Sequence, residues 1–287
     1  MKTQKIAVFG ATGKTGARVI TQLQQLGYSP LARSRQSEIT FDWQDRTTWS
    51  AALEGMDSAY VTYYPDLAVP QAKDDMEVFV AMAKAQGIKH LVLLSGRGED
   101  GAKQAEDVVR NSGMEWNIVR ASWFMQNFSE SFMADGLRDG HLVLPQHNAI
   151  EPFIDVEDIA EVAVAALTRP DLRNQLLEIT GPALLSFTDC VETISQAAER
   201  HIGFQTVPTH AYISAAKAEG LTEDMAWLIQ ELFDNVLDGR NQWTTDTVEK
   251  VLGRPAKSFQ QYVEDTAPSG AWKSNNSNIN PLSAEAN

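Results

Sequence analysis

The 287-residue chain carries 24 Lys and Arg against 38 Asp and Glu, a formal charge of −14, and 43% of its residues are hydrophobic. That length builds a sizeable core, and so acidic a surface is repelled by phosphate backbones and anionic lipid, which disfavours nucleic-acid and membrane partners. One cysteine (Cys190), five histidines without ligand spacing, no membrane-length apolar run and an N-terminus too soon broken by glycine for a signal peptide leave a soluble, cytoplasmic protein without disulfide or metal as the expectation.

In chain order, "KIAVF" (5–9), "ITF" (39–41), "SAYVT" (58–62), "HLVLL" (90–94) and "WNIVR" (116–120) read as strands. Between them, Lys14–Leu26, Thr47–Leu53, Pro70–Gln86 and Gly101–Asn111 have helical spacing, with Gly27 and Gly87 placed as stops. Strands alternating with helices imply parallel pairing through right-handed crossovers, hence an α/β doubly wound sheet. In "FIDVEDIAEVAVAAL" (153–167) a strand end enters a helix, and Asp155 and Asp158 read as its N-terminal cap rather than as catalytic carboxylates. "LLEIT" (176–180) reads as a last strand closed by "GP". Helical patterns follow at 187–200, 210–219, 223–237 and 258–265. The expected organisation is a dinucleotide-binding Rossmann domain over 1–182, a smaller, mostly helical substrate lobe over 183–266, with 123–150 also lining the pocket, and a flexible tail over 267–287.

The glycine-rich stretch "VFGATGKTGARVI" decides the cofactor class. A triphosphate loop requires G-x-x-x-x-G-K-[ST], and the position of its first glycine is Val8, so that reading fails. The dinucleotide reading fits: Gly10 permits the turn off the strand, Gly13 lets a pyrophosphate reach the helix N-terminus, and Gly16 removes a side chain where helix meets sheet. The spacing is G-x-x-G-x-x-G rather than G-x-G-x-x-G. After the second strand an NAD enzyme places an acid on the ribose. Here "PLARSRQ" offers Arg33, Ser34 and Arg35, which suit a 2′-phosphate, with a solvated basic turn as the plainer reading.

"GATGKTG", "ARSR", "FDWQDRTTW", "ASWFMQNFSE", "PFIDVEDIAEVA", "EITGP" and "VLGRPAKSFQQYVED" occur in that order over residues 5–265. Together they resemble the NmrA-like branch of the atypical short-chain dehydrogenases, most of all the subgroup containing the ergot-alkaloid reductases. The resemblance implies NADP(H) across the strand ends and a small C-terminal lobe over the substrate. It also implies that Gly10, Thr12, Gly13, Lys14 and Gly16 form the pyrophosphate loop and that Arg33 reads the 2′-phosphate; Thr15 within the loop and Arg35 beside Arg33 are further cofactor-binding candidates. Asp42 and Trp43 fall where the family contacts adenine, Asp42 having a loop-cap reading as well. Tyr63, Tyr64 and Ser95 fall on the nicotinamide side.

The chain departs from the usual short-chain pattern, in which a Tyr-x-x-x-Lys pair donates a proton to the developing alkoxide. If Lys103 is the motif lysine, the tyrosine slot holds Glu99, a poor acid unless buried. Lys103 and Tyr64 remain the catalytic candidates, and Lys103 reads equally as a surface lysine. Trp123, Phe124, Asn127 and Phe128 follow a strand end and read either as core or as a substrate pocket, with Trp227, Phe233 and Trp243 as an opposing wall. The expected activity is NADPH-dependent reduction of a flat hydrophobic or cationic small molecule, an imine or iminium. A dinucleotide-sensing regulator without turnover and a quinone reductase are the alternatives.

Overall fold

The computed structural model describes residues 4–146 and 148–274. Its N-terminal part alternates β1 (Ile6–Phe9), α1 (Lys14–Gln25), β2 (Leu31–Arg33), α2 (Trp49–Leu53), β3 (Ser58–Val61), α3 (Ala72–Ala85), β4 (His90–Gly96), α4 (Asp100–Arg110) and β5 (Glu115–Ala121). Then come α5 (Met133–Asp139), β6 (His141–Pro145), α6 (Val156–Thr168), β7 (Gln175–Ile179), α7 (Phe187–Ala197) and β8 (Gly203–Val207). Helices α8 (Thr209–Ala218), α9 (Glu223–Gln230), α10 (Thr247–Leu252) and α11 (Phe259–Thr266) complete the order, α9 continuing into a π-helical turn, Glu231–Val236. No helix among the described residues is long and apolar enough to cross a membrane.

Six strands form one parallel sheet in the order β2-β1-β3-β4-β5-β7. The chain order reverses between β1 and β3, and ligands of such sheets bind in the crevice at that switch point, beyond the strands' carboxyl ends. The sheet is buried on both faces because alternate residues of each strand feed opposite cores. Ala7, Ala59 and Leu91 pack against α2, α3 and α4, whereas Ile6, Val8 and Val92 pack against α1 and α6. Asp155 caps α6 by accepting from the Glu157 amide, as its position suggests. Asp158 is fully buried, accepts from the Lys257 amide and pairs with Arg254, tying α6 to the C-terminal segment.

The structure corrects the sequence reading in four places. The second strand is Leu31–Arg33, and 39–41 contributes one isolated bridge, Ser34 with Thr40, because Ile39 is 40% exposed and has no sheet neighbour to cover it. Strands β6 and β8, unforeseen, pair in parallel as a second sheet. The second lobe is not confined to residues after 183: one core joins Met125, Phe128, Leu142 and Phe153 to Phe187, Phe233, Phe259 and Trp272. Nor does a tail begin at 267. Trp272 is 2% exposed and donates its indole N–H to the Phe128 carbonyl at 2.7 Å, and Arg200 bonds its carbonyl. The rest of that predicted tail, 275–287, lies outside the described residues.

Candidate cofactor and substrate site

The β1–α1 loop is folded onto itself by its glycines. Gly10 sits at φ +74°, its amide donates to the Arg33 carbonyl at 3.0 Å, and a Cβ there would lie 2.0 Å from Thr62 Oγ1. The Gly13 amide donates to the Gly10 carbonyl at 2.9 Å. A Cβ on Gly16 would lie 2.2 Å from that same carbonyl oxygen, so Gly16 serves the approach of helix to loop. Helix α1 then starts without a side-chain cap and without an acid in its first turn. Its leading amides and the positive end of its dipole face an exposed surface formed by Thr12 and Gly13. That arrangement fits an anion such as a pyrophosphate. Lys14 stands beside it, its ammonium drawn below the usual lysine range by burial, against the opposing pull of Glu130. Thr15 is buried beside Tyr60, so its side chain belongs to the packed side of the helix rather than to the loop surface.

At the next strand end Arg33 is 4% exposed. Nε donates to the Ala52 carbonyl at 2.7 Å and Nη1 to the Ala32 carbonyl at 2.9 Å. This clamp leaves Nη2 without a partner among the described residues. Arg35 is exposed, with its guanidinium 5.2 Å from the centre of the Tyr64 ring. Asp42 behaves as a loop cap: Oδ1 accepts from the Gln44 amide and its carbonyl accepts from Trp49 Nε1. The indole of Trp43 donates to the Thr62 carbonyl and its ring lies 4.7 Å from that of Tyr63, whose hydroxyl donates to Asp75. Burial and the Asp75 carboxylate together push the Tyr63 phenol far above its ordinary range, so it stays protonated. These rings border a cavity of about 990 Å³ that Tyr64 and, from the second lobe, Trp227 also line.

Several expected site residues face elsewhere. The Ser95 hydroxyl donates to Glu106 Oε1 at 2.7 Å inside the protein, where Arg120 also holds that carboxylate, so it does not face the groove. Lys103 is exposed and paired with Asp100 at 2.9 Å. Phe128 is core: fully buried, with the rings of Phe153, Phe187 and Phe259 around it. Phe124 is half-buried against the α1–α6 core. Trp123 is also half-buried, edge-on to Phe187 and Phe233, and Asn127 is half-buried. Trp227 and Trp243 are 39% and 50% exposed, and Trp243 lies 4.3 Å over the Arg97 guanidinium.

Arg97, Glu151 and Asp66 have no counterpart in the sequence reading. Arg97, buried after β4, pairs with Glu178 at 2.8 Å and reaches the carbonyls of Asn241 and Trp243. Glu151 is fully buried with both oxygens unpartnered, and desolvation raises its carboxyl to about 7, against the pull of Arg97. Glu99, a poor acid unless buried, is 7% exposed and lies against Asp66. Burial, then the negative charge of Asp66, raises it well above the carboxylate range. The only advance signal for Asp66 is its place just past a strand, in "YYPD".

The NmrA-like family model matches residues 2–259. The chain is 31% identical to an NAD(P)H azoreductase of Xenophilus azovorans over 284 residues, covering 90% of this chain and 96% of that one. It is 27% identical to an agroclavine dehydrogenase of Claviceps fusiformis, covering 91% and 96%. Among solved structures, an NADPH-dependent quinone oxidoreductase of Escherichia coli complexed with NADPH superposes with a TM-score of 0.76 at 18% identity, covering 91% and 99%.

Proposed function

The chain belongs to the NmrA-like family, and on that premise we propose that it is an NADPH-dependent oxidoreductase whose acceptor is a flat organic imine or iminium. The observation that carries the reading is the β1–α1 loop, where Gly10, Gly13 and Gly16 shape an uncapped, acid-free helix start at the switch point of the sheet. Bound NADPH would supply a hydride, the chemistry that no side chain can offer. The loop amides and Lys14 would hold the pyrophosphate. Arg33 Nη2 and Arg35 would meet the 2′-phosphate, and the adenine would lie in the cavity that Tyr63 and the largely buried Trp43 border. The names of the relatives support reduction of an electron-poor π system: an azo compound, a clavine alkaloid and a quinone.

The acceptor class follows from what the chain lacks. With glutamate in the tyrosine slot and the Tyr63 hydroxyl already donating to Asp75, the Tyr-x-x-x-Lys route to an alkoxide is missing, so a simple ketone is a poor fit. An iminium becomes a neutral amine when it takes hydride. Exposed rings such as Trp227 and the half-buried Trp123 attract a cation by about 0.5–2 kcal/mol, and the charge of −14 gathers cations at low salt. The second lobe would cover the acceptor and exclude water.

The test is calorimetric binding of NADPH and NADH, followed by NADPH consumption across cyclic iminiums, ketones and quinones, with products identified by mass. Iminium turnover and a clear NADPH preference are expected. Ketone reduction without iminium activity would refute the acceptor class. Tight NADPH binding with no turnover on any acceptor would turn the reading to a dinucleotide sensor.

A further inference from the structure

Resting on that reading, we infer that Asp66 and Glu99 hold one proton between them and are the proton donor of the reductive step. Asp66 follows β3 and Glu99 follows β4, so the pair bridges the loops at two adjacent carboxyl ends, next to the switch point. Gly101 makes the meeting possible. A Cβ there would lie 2.2 Å from the Ala68 carbonyl oxygen, so only glycine lets the first turn of α4 close on the 66–69 loop. Asp66 Oδ1 accepts from the Ala68 amide at 2.8 Å, which fixes that loop from within. The Glu99 carboxyl lies where a side chain on Gly96 would stand, with both oxygens within 2.3 Å of a Cβ built there, over the last residue of β4.

Two carboxyls can share a hydrogen bond only if one keeps its proton. Glu99 lies against Asp66, and no N–H or O–H group among the described residues donates to its buried Oε2. An unpartnered oxygen in a 93% buried side chain is costly unless it serves a ligand or carries hydrogen. The charges around the pair favour the protonated form. Glu106 and, from the covering π-helical turn, Glu231 add negative potential, and desolvation pushes in the same direction. The cations nearby are engaged: Arg120 with Glu106, Lys103 with Asp100, and Arg240 with Asp238 and the Gly98 carbonyl. Asp66 is half-buried and so gives the pair its route to solvent.

The chemistry balances. The nitrogen lone pair of a neutral imine takes the proton as the carboxyl O–H bond breaks, leaving an iminium beside two carboxylates whose charge stabilises it. The imine carbon then gains hydride, the C=N π pair returns to nitrogen, and the reduced dinucleotide is oxidised. The pair regains its proton from water through Asp66. A preformed N-alkyl iminium needs no proton and bypasses the pair.

The test compares the unmutated chain with Glu99→Gln and Asp66→Asn. Infrared difference spectra of the cofactor-free protein, unmutated minus Glu99→Gln, should show a protonated-carboxyl C=O band at neutral pH, the contribution of Glu151 cancelling. With NADPH, both variants should slow a weakly basic cyclic imine by about a hundredfold and leave its N-methyl iminium within about twofold. The imine rate of the unmutated protein should fall as pH rises, and that dependence should vanish in Glu99→Gln. No band at neutral pH, equal slowing of both acceptors, or slowing of neither would each overturn the proposal. Failure of the pair alone leaves the N-methyl iminium turning over. A protein that binds NADPH and reduces neither acceptor overturns the reductase reading, and the donor role with it.

Discussion

Gly13→Ala and Gly16→Ala separate a glycine that faces the ligand from one that packs. Gly13 has φ −81° and ψ 172°, backbone that alanine adopts freely, and the nearest atom to a Cβ there is the Gly10 carbonyl oxygen at 3.2 Å. A shift of a few tenths of an ångström absorbs that contact, and exchanging glycine for alanine at a helix cap costs at most about 1 kcal/mol. At Gly16 the corresponding distances are 2.2 Å to the Gly10 oxygen and 2.8 Å to its carbon. Both are backbone atoms, on a residue whose amide is tied to Arg33, so relief requires the whole loop to move. Overpacking of this kind costs about 1–3 kcal/mol. At about 2–4 °C per kcal/mol for a chain of this size, Gly16→Ala should melt roughly 2–12 °C lower, and Gly13→Ala within about 4 °C of the unmutated protein. Calorimetric titration should rank them differently. Gly13→Ala places a methyl on the exposed surface that would meet the pyrophosphate and should weaken NADPH at least tenfold, about 1.4 kcal/mol. Unchanged NADPH affinity in Gly13→Ala, at an unchanged melting temperature, would show that the phosphates do not sit on this loop.

Arg35→Ala should lower NADPH affinity roughly tenfold while sparing NADH, and equal dissociation constants for the two cofactors in the unmutated protein would refute the 2′-phosphate assignment. Arg33→Ala should also lose about 1–3 kcal/mol of stability, since its bonds to the Ala52 and Ala32 carbonyls go with it. Trp272→Ala should cost about 3–5 kcal/mol in urea unfolding, because it empties a buried site and strands the Phe128 carbonyl; a loss below about 1 kcal/mol would contradict that anchoring. Glu151 has its folded value raised from 4.5 to about 7, so the native state binds its proton more tightly than the unfolded chain does. Stability from this group is therefore present at low pH and falls as pH rises from about 4.5 to about 7, by about 3 kcal/mol at most. Glu151→Gln should flatten that part of the urea-midpoint profile, and an identical slope in the variant would refute it.

The sheet was legible in the sequence because its inner strands are continuous apolar runs between helices of regular period, and burial on both faces demands that pattern. The edge was not. Strand β2 has three residues, with Leu31 37% exposed and Arg33 turned inward, so nothing apolar marks it, whereas the more apolar Ile39 lies in the open. The glycine loop could be read because backbone approach leaves a mark in residue type. The inward turn of Ser95 and the burial of Phe128 left none, since a serine and a phenylalanine are equally at home in a pocket or a core. Composition misled at the C-terminus: one tryptophan among Asn and Ser residues outweighs its polar neighbours once it finds a buried carbonyl. For Glu99 the sequence left the deciding condition, burial, open. Its carboxyl is raised by burial and then by Asp66, 33 positions earlier, across a glycine that lets two loops touch.

The second lobe's core draws on residues 125–153 and again on 187–272, while β7 and most of α6 between them belong to the first. Neither lobe is therefore a contiguous stretch of chain. A cut after 182 gives no autonomous piece on either side: the first would expose Phe128 and Phe153, and the second would lack the strand that β8 pairs with. During synthesis the large sheet can close once β7 has emerged, but the lobe over its strand ends waits for Trp272. Recombination between relatives faces the same constraint, because exchanging acceptor specificity by swapping one segment would split a core. The joint between the lobes is thus a poor place for crossover, and variation in the acceptor has to arise by substitution within loops.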